Sequence, residues 1–322
     1  MCSAPTPRPS FATRNVRCWW CETSGPPNGW ERPLSIAVDR RAFVLPRAGA
    51  EGVEIFAIGD IHGRSDLLSA LLEEAARTPR QAKRRIIVLL GDLIDRGPDS
   101  LGTIDLAIAA ARLARADEAI ALMGNHEILM RLALDPATPL DEAIPALEVW
   151  MLNGGALTIA EFLRGDVAPA DLVELLRRAR EQLPERIGAW LRGLRPHWRS
   201  RDLLFVHAGV NPAFELEAFL AAPWDTPVES LEGSRHWAWV RWPFIDAAPG
   251  PEGFGGVFVI HGHTPGDLSP EATHEDQIRR FRLNLDAGSV QSGAAEMAIL
   301  RGDRAEVVRA QGQAGHRSLH GR

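Results

Sequence analysis

The sequence predicts a layered α/β fold carrying a helical insertion, and three observations predict it. From Glu54 onward, short apolar runs alternate with stretches of helical period. Several of those runs stop at a glycine followed by polar groups, as strands do where an α/β sheet builds a site along its carboxyl edge. Between residues 127 and 195 the helical patches are broken by prolines and carry no such motif, which suits an insertion above the sheet.

Taken in order, residues 1–50 hold seven prolines, seven arginines and no sustained period, and read as an irregular basic arm. Its "CWWC", Cys18 to Cys21, has the spacing of half a zinc or redox site, but no second ligand pair stands nearby. The runs 54–58, 85–90, 119–123, 202–206, 256–260, 281–285 and 296–300 read as buried strands. "SDLLSALLEEAART" places Leu67, Leu68, Leu71 and Leu72 on one face behind a capping Ser65, and so reads as a helix. A second helix is expected over 100–115. One catalytic domain is expected over 51–309, with its insertion at about 127–198 and a frayed tail over 310–322.

A formal charge of −6 on 322 residues gives no global reason to expect a nucleic-acid or anionic-membrane partner. The three cysteines all lie in the first 21 residues, so the rest of the chain has no disulfide framework and a reducing cytoplasm is expected. No uninterrupted apolar run approaches the roughly 20 residues that span a bilayer, and the N-terminus lacks a secretory h-region. Nothing in the sequence sets an oligomeric state.

The strand-end motifs carry the chemistry. They are "GDIHG" at 59–63, "GDLIDRGPDS" at 91–100, "GNHE" at 124–127, "HAG" at 207–209 and "HGHTP" at 261–265. Each alone has an ordinary reading as a turn or helix cap. Together they offer oxygen and imidazole ligands without thiolates, a mixture that suits Mn, Fe or Zn and more than one ion. In "HGHTP" either histidine could reach a metal.

These stretches closely resemble the calcineurin-like metallophosphoesterase superfamily, and within it the bacterial and phage-type phosphoprotein phosphatases. The resemblance runs from about 54 to 300 and implies a sandwich of two central mixed β-sheets flanked by helices. It implies two divalent ions, Mn²⁺ first, with Fe or Zn as other choices. The implied metal ligands are Asp60, His62, a bridging Asp92, Asn125, His207 and His263, with His261 a strand-end neighbour. His126 and Asp95 match the catalytic dyad, Arg96 a phosphate-binding arginine that Asn125 would assist, and Arg241 in "WVR" a second such arginine. "VWMLNGG" at 149–155 resembles a stretch of phage-type members, which would set Trp150 and Asn153 to Gly155 beside the site. Asp286 in "NLDAGSV" also matches a family stretch, and a turn-capping role explains it equally well.

The implied activity is a phosphomonoesterase, first of all a protein serine/threonine phosphatase, with a hydroxide between the metals as nucleophile and His126 as general acid. The alternative is a symmetrical dinucleoside tetraphosphate hydrolase, whose members usually show alanine at the Asp95 position and "GNHD" for "GNHE". A binding module that lost the chemistry is disfavoured because every metal and dyad position is filled. Met123 stands where the family often has arginine, and the chain has no tyrosine, which separates it from eukaryotic members.

Overall fold

The computed structural model describes residues 37–163, 171–265 and 273–313. The CWWC stretch and Cys2 lie outside them. Two sheets face each other. The six-stranded sheet has the order β1 (Ala37–Val44), β10 (Arg304–Gln311), β9 (Ala294–Arg301), β2 (Val53–Ile58), β3 (Arg84–Leu89), β4 (Glu118–Ala121). The four-stranded sheet has the order β5 (His197–Ser200), β6 (Leu203–Val206), β7 (Phe258–His261), β8 (Arg282–Asn284). Both are mixed, as expected: β2, β3 and β4 run parallel, β9 is antiparallel to β2, and β6, β7 and β8 run parallel beside antiparallel β5.

The inner strands β2, β3, β6 and β7 are apolar without alternation because both of their faces are buried. Phe56 and Ile58 of β2 point into the core shared with the helices, while Ile55 and Ala57 point into the core between the sheets. Leu204 and Val206 of β6 divide from Leu203 and Phe205 in the same way. Each such side chain contributes about 1.5–3 kcal/mol when fully buried, so a one-residue slip would exchange two packed layers at once.

Register then aligns the strand ends. Ile58 pairs with Leu89 and Leu89 with Ala121, so Asp60, Asp92 and Asn125 leave the first sheet at one level. Phe205 pairs with Ile260 and Ile260 with Leu283, which does the same for His207, His263 and Asp286 in the second.

Several boundaries differ from the sequence expectations. Residues 37–44, assigned to the irregular arm, form edge strand β1, paired antiparallel with β10 from Ala37↔Gln311 to Val44↔Arg304. β10 in turn runs through Gln311, into the expected tail. Their partner strands are some 260 residues apart in the chain, so no local pattern announces the pairing. The insertion ends before 198, because His197–Ser200 is β5. The helix expected over 100–115 is two pieces, Ser100–Ile108 and Ala110–Leu113. Ser65 is the first residue of helix Ser65–Arg77 rather than its cap, and its hydroxyl donates to Asp99.

Leu140–Leu163 is a helical run long and apolar enough, by length and composition, to cross a membrane. Gly154, at φ 109°, breaks its geometry, and Ala143, Ala146, Leu147 and Trp150 are buried in the protein core.

Candidate active site

The two sets of strand ends meet at Asp92. Its Oδ2 lies 3.3 Å from His207 Nε2, 3.7 Å from His62 Nε2 and 3.9 Å from His126 Nε2. Two groups of donors converge there within 4.8 Å, His62 with Asp92 and His126, and Asp92 with His207 and His263, all buried. Asn125, first residue of helix Asn125–Leu134, brings Oδ1 to 3.2 Å from His207 Nε2. Asp60 accepts the His263 N–H through Oδ2 at 3.0 Å, while its buried Oδ1 meets no partner.

The rings are aimed by their far nitrogens. His62 Nδ1 donates to the Ile94 carbonyl at 2.9 Å and His207 Nδ1 to the Leu90 carbonyl at 3.0 Å, which leaves each Nε2 lone pair facing the centre. Holding these side chains takes strained backbone: His62, Asp92, Asp95, Arg96 and His263 all have φ between 48° and 73°. Each non-glycine residue held in that region costs on the order of 1–3 kcal/mol, which the surrounding packing must offset.

Electrostatics fit a pair of cations. Burial, then Asp286 and Asp92, pushes the Asp60 carboxyl well above the usual range. Burial raises Glu127 to about 7 and Asp286 to about 6, with Asp92 adding to both. Burial also lowers His62 to about 3 and drives His263 well down, so these rings are neutral, as metal binding requires. Asp92 is the exception: burial alone would raise it, but His207 and His126 hold it well below the carboxylate range. Crowded carboxylates, neutral imidazoles and buried polar atoms without partners on Asp60 and His263 fit the protein half of a divalent metal site.

The dyad is closed from one side. His126 Nδ1 donates to Asp95 Oδ2 at 2.6 Å, and both residues are fully buried. Burial works against protonation of His126, yet Asp92 and Asp95 raise it above its ordinary value. Arg96 is exposed at the rim, with Nη1 donating to His62 Nε2 at 3.0 Å and Nε to the Asn153 carbonyl at 3.2 Å. Arg241 reaches a different metal loop, donating through Nη1 to Thr264 Oγ1 at 3.0 Å and the His263 carbonyl at 3.2 Å. His261 lies apart from the donor groups; Phe244 packs edge-on at 4.9 Å and burial lowers it to about 3. Asp286 accepts the Gly288 N–H at 2.9 Å, a turn contact, while its charge is felt at Asp60.

Other residues that shape the site went unread in the sequence. Glu127 accepts backbone N–H bonds from Asp92, Leu93 and Gly124 at 2.8, 2.8 and 2.9 Å, tying two metal loops together. Its signal was its third place in a helix opened by "GN". Arg64, fully buried, donates to Asp66 and to the Ser289 carbonyl, and Ser289 Oγ donates to the Ile61 carbonyl. Ser100, which accepts the Asp95 N–H, closes the "GDLIDRGPDS" motif, whereas Thr158, 63 residues from Asp95, carries no signal at all.

The chain is similar to several known proteins. A symmetrical bis(5'-nucleosyl)-tetraphosphatase of Acidovorax sp. (strain JS42) is 27% identical over 70% of this chain and 62% of its own length. Another, from Chromohalobacter salexigens, is 32% identical over 74% of this chain and 92% of its own. Serine/threonine-protein phosphatase 1 of Salmonella typhimurium is 38% identical over 31% of this chain and 38% of its own. The matches thus span less than two thirds of the first relatives' length. A solved cold-active protein-tyrosine phosphatase of a Shewanella species is 18% identical, with 80% of this chain and 77% of that one covered at a TM-score of 0.49. The sequence model of the calcineurin-like phosphoesterases matches residues 53–317, which takes in both sheets from β2 onward and every residue of the centre, and the chain therefore belongs to that family.

Proposed function

We propose that the protein hydrolyses a phosphoester or phosphoanhydride at the centre built on Asp92, with His126 delivering a proton to the leaving group. The observation that carries this reading is one carboxylate oxygen, Asp92 Oδ2, facing three buried imidazoles. Asp60, His62, Asp92, Asn125, His207 and His263 would hold two divalent ions, Mn²⁺ first, and such a pair supplies Lewis acidity and a water ionised near neutral pH. Arg96 and Arg241 flank the centre and present forked donors suited to a phosphoryl group. His126 is held by Asp95 with Nε2 unpartnered and inward, the nitrogen that would carry the transferred proton. A reducing cytoplasm belongs to the same proposal.

For the substrate, the relatives' names favour a symmetrical dinucleoside tetraphosphate over the phosphoserine or phosphothreonine that the sequence motifs put first. One observation supports the second reading: the Asp95–His126 dyad is complete and buried. A nucleoside diphosphate leaves with little help, since phosphate oxygens ionise near neutral pH, whereas a serine alkoxide needs a proton. Diadenosine tetraphosphate, a phosphoserine peptide and a phosphotyrosine peptide assayed side by side with Mn²⁺ decide between them by which kcat/KM dominates. His126→Asn should abolish turnover of the phosphoserine peptide; full turnover would refute the proton assignment.

A further inference from the structure

The helical insertion reaches into the dyad. Trp150 ends helix Leu140–Trp150 and is fully buried, with its indole N–H donating to Asp95 Oδ2 at 2.7 Å. Thr158, in the following helix Ala156–Leu163, lies with its hydroxyl 2.6 Å from Asp95 Oδ1 and 2.8 Å from Ser100 Oγ. Ser100 Oγ also accepts the Asp95 backbone N–H at 2.9 Å. Asp95 can only accept, so the Thr158 hydroxyl donates to it and receives from Ser100. Both oxygens of Asp95 are thereby engaged, Oδ2 by Trp150 and His126, Oδ1 by Thr158.

Between the two donors lies the wide turn Met151–Gly155, which also touches Arg96. The Asn153 carbonyl accepts Arg96 Nε, Gly154 takes φ 109° with Arg96 Cγ 2.8 Å from where a Cβ would stand, and a Cβ on Gly155 would fall 2.5 Å from the Trp150 ring. "WMLNGG" is thus shaped so that an indole can reach a carboxylate while the chain turns beside the arginine.

We infer that Trp150 and Thr158 are positioning residues: they fix the Asp95 carboxylate, and through it the His126 ring, in the orientation from which Nε2 delivers a proton to the leaving group. This rests on the proposed role of His126. A carboxylate held by a rigid indole and a buried hydroxyl cannot rotate, so the imidazole it orients keeps one direction. Proton delivery matters most for poor leaving groups. Loss of a positioning donor therefore slows alkyl phosphates and spares aryl phosphates, a contrast that merely loosened packing would not produce.

The test uses the full chain with Mn²⁺ and compares p-nitrophenyl phosphate with a phosphoserine peptide, for wild type, Trp150→Phe, Thr158→Val and Thr158→Ser. General acid catalysis contributes 10²–10⁴-fold, so partial misplacement should lower kcat on the peptide by about tenfold more than on the aryl ester, with KM unchanged. Thr158→Ser, which keeps the hydroxyl, should restore the wild-type ratio; this pair carries the test if Trp150→Phe unfolds. Equal loss on both substrates, or none on either, overturns the inference while the functional reading stands. A wild-type chain without metal-dependent turnover overturns both.

Discussion

Gly262→Ala separates the metal centre from the stability of the fold. A Cβ on Gly262 would stand 1.9 Å from Asp60 Oδ1, and real Cβ atoms do not come within 3.0 Å of a heavy atom. The carboxylate must therefore retreat by about 1.1 Å. Metal–ligand distances tolerate about 0.2 Å, so the displaced oxygen leaves the coordination range. Asp60 Oδ1 has no other partner, but the carboxylate moves as a unit, so the bond that Oδ2 accepts from the His263 N–H at 3.0 Å is disturbed with it. The fold should lose no more than that one hydrogen bond, about 1.5–3 kcal/mol, while affinity for one ion falls at least 10–100-fold, the loss typical of disturbing a ligand's support. Titration calorimetry with Mn²⁺ on the metal-free chain measures the affinity, and urea unfolding of the same sample the stability. A variant that binds Mn²⁺ within threefold of wild type would show that Asp60 does not face a metal and would refute the reasoning.

Three further outcomes follow from particular contacts. Arg85, buried, donates to Glu54 at 2.7 Å and to the Ala75 and Thr78 carbonyls; Arg85→Met should cost about 1.5–3 kcal/mol in urea unfolding, since Glu54 loses this charged partner and keeps Arg301 at 3.0 Å, with turnover per folded molecule unchanged. His236 accepts the Ala238 N–H and donates to the Pro223 carbonyl, so it is held neutral, and burial lowers it to about 4. Its folded value lies below its ordinary one, so its contribution is intact above about pH 6.5 and is lost as pH falls towards 4, by up to roughly 3 kcal/mol at about 1.4 kcal/mol per unit. His236→Gln should show a shallower decline of unfolding free energy between pH 7 and pH 4.5; an identical decline would refute the assignment. Chelation with EDTA should abolish hydrolysis and lower the melting temperature, because a metal at a hundredfold excess over its Kd stabilises the folded state by about 2.7 kcal/mol, and both should return with Mn²⁺.

The centre was legible because its parts are local. A β-strand that ends in a glycine and a polar residue declares itself within ten positions, and β2, β3, β4, β6 and β7 each did so. Register needed no separate information at those ends: hydrophobic faces on both sides of each strand admit one alignment, and that alignment brings Asp60, Asp92 and Asn125 level. Elements that depend on distant partners are not legible in this way. Ala37–Val44 has Arg40 and Arg41 in its middle and looks like an arm until β10 supplies its hydrogen bonds.

By itself, the sequence determined the layered fold class, the polar residues at each strand end and the oxygen-and-imidazole chemistry they share, because periodicity and turn residues act over a few positions. Only the tertiary structure decided that Asp92 stands among three imidazoles, that Glu127 binds two loops into one centre, and that Trp150 and Thr158 descend on Asp95 from 55 and 63 residues away. Those contacts arise from packing an insertion against a sheet edge, and packing between distant segments leaves no trace in the spacing of either one.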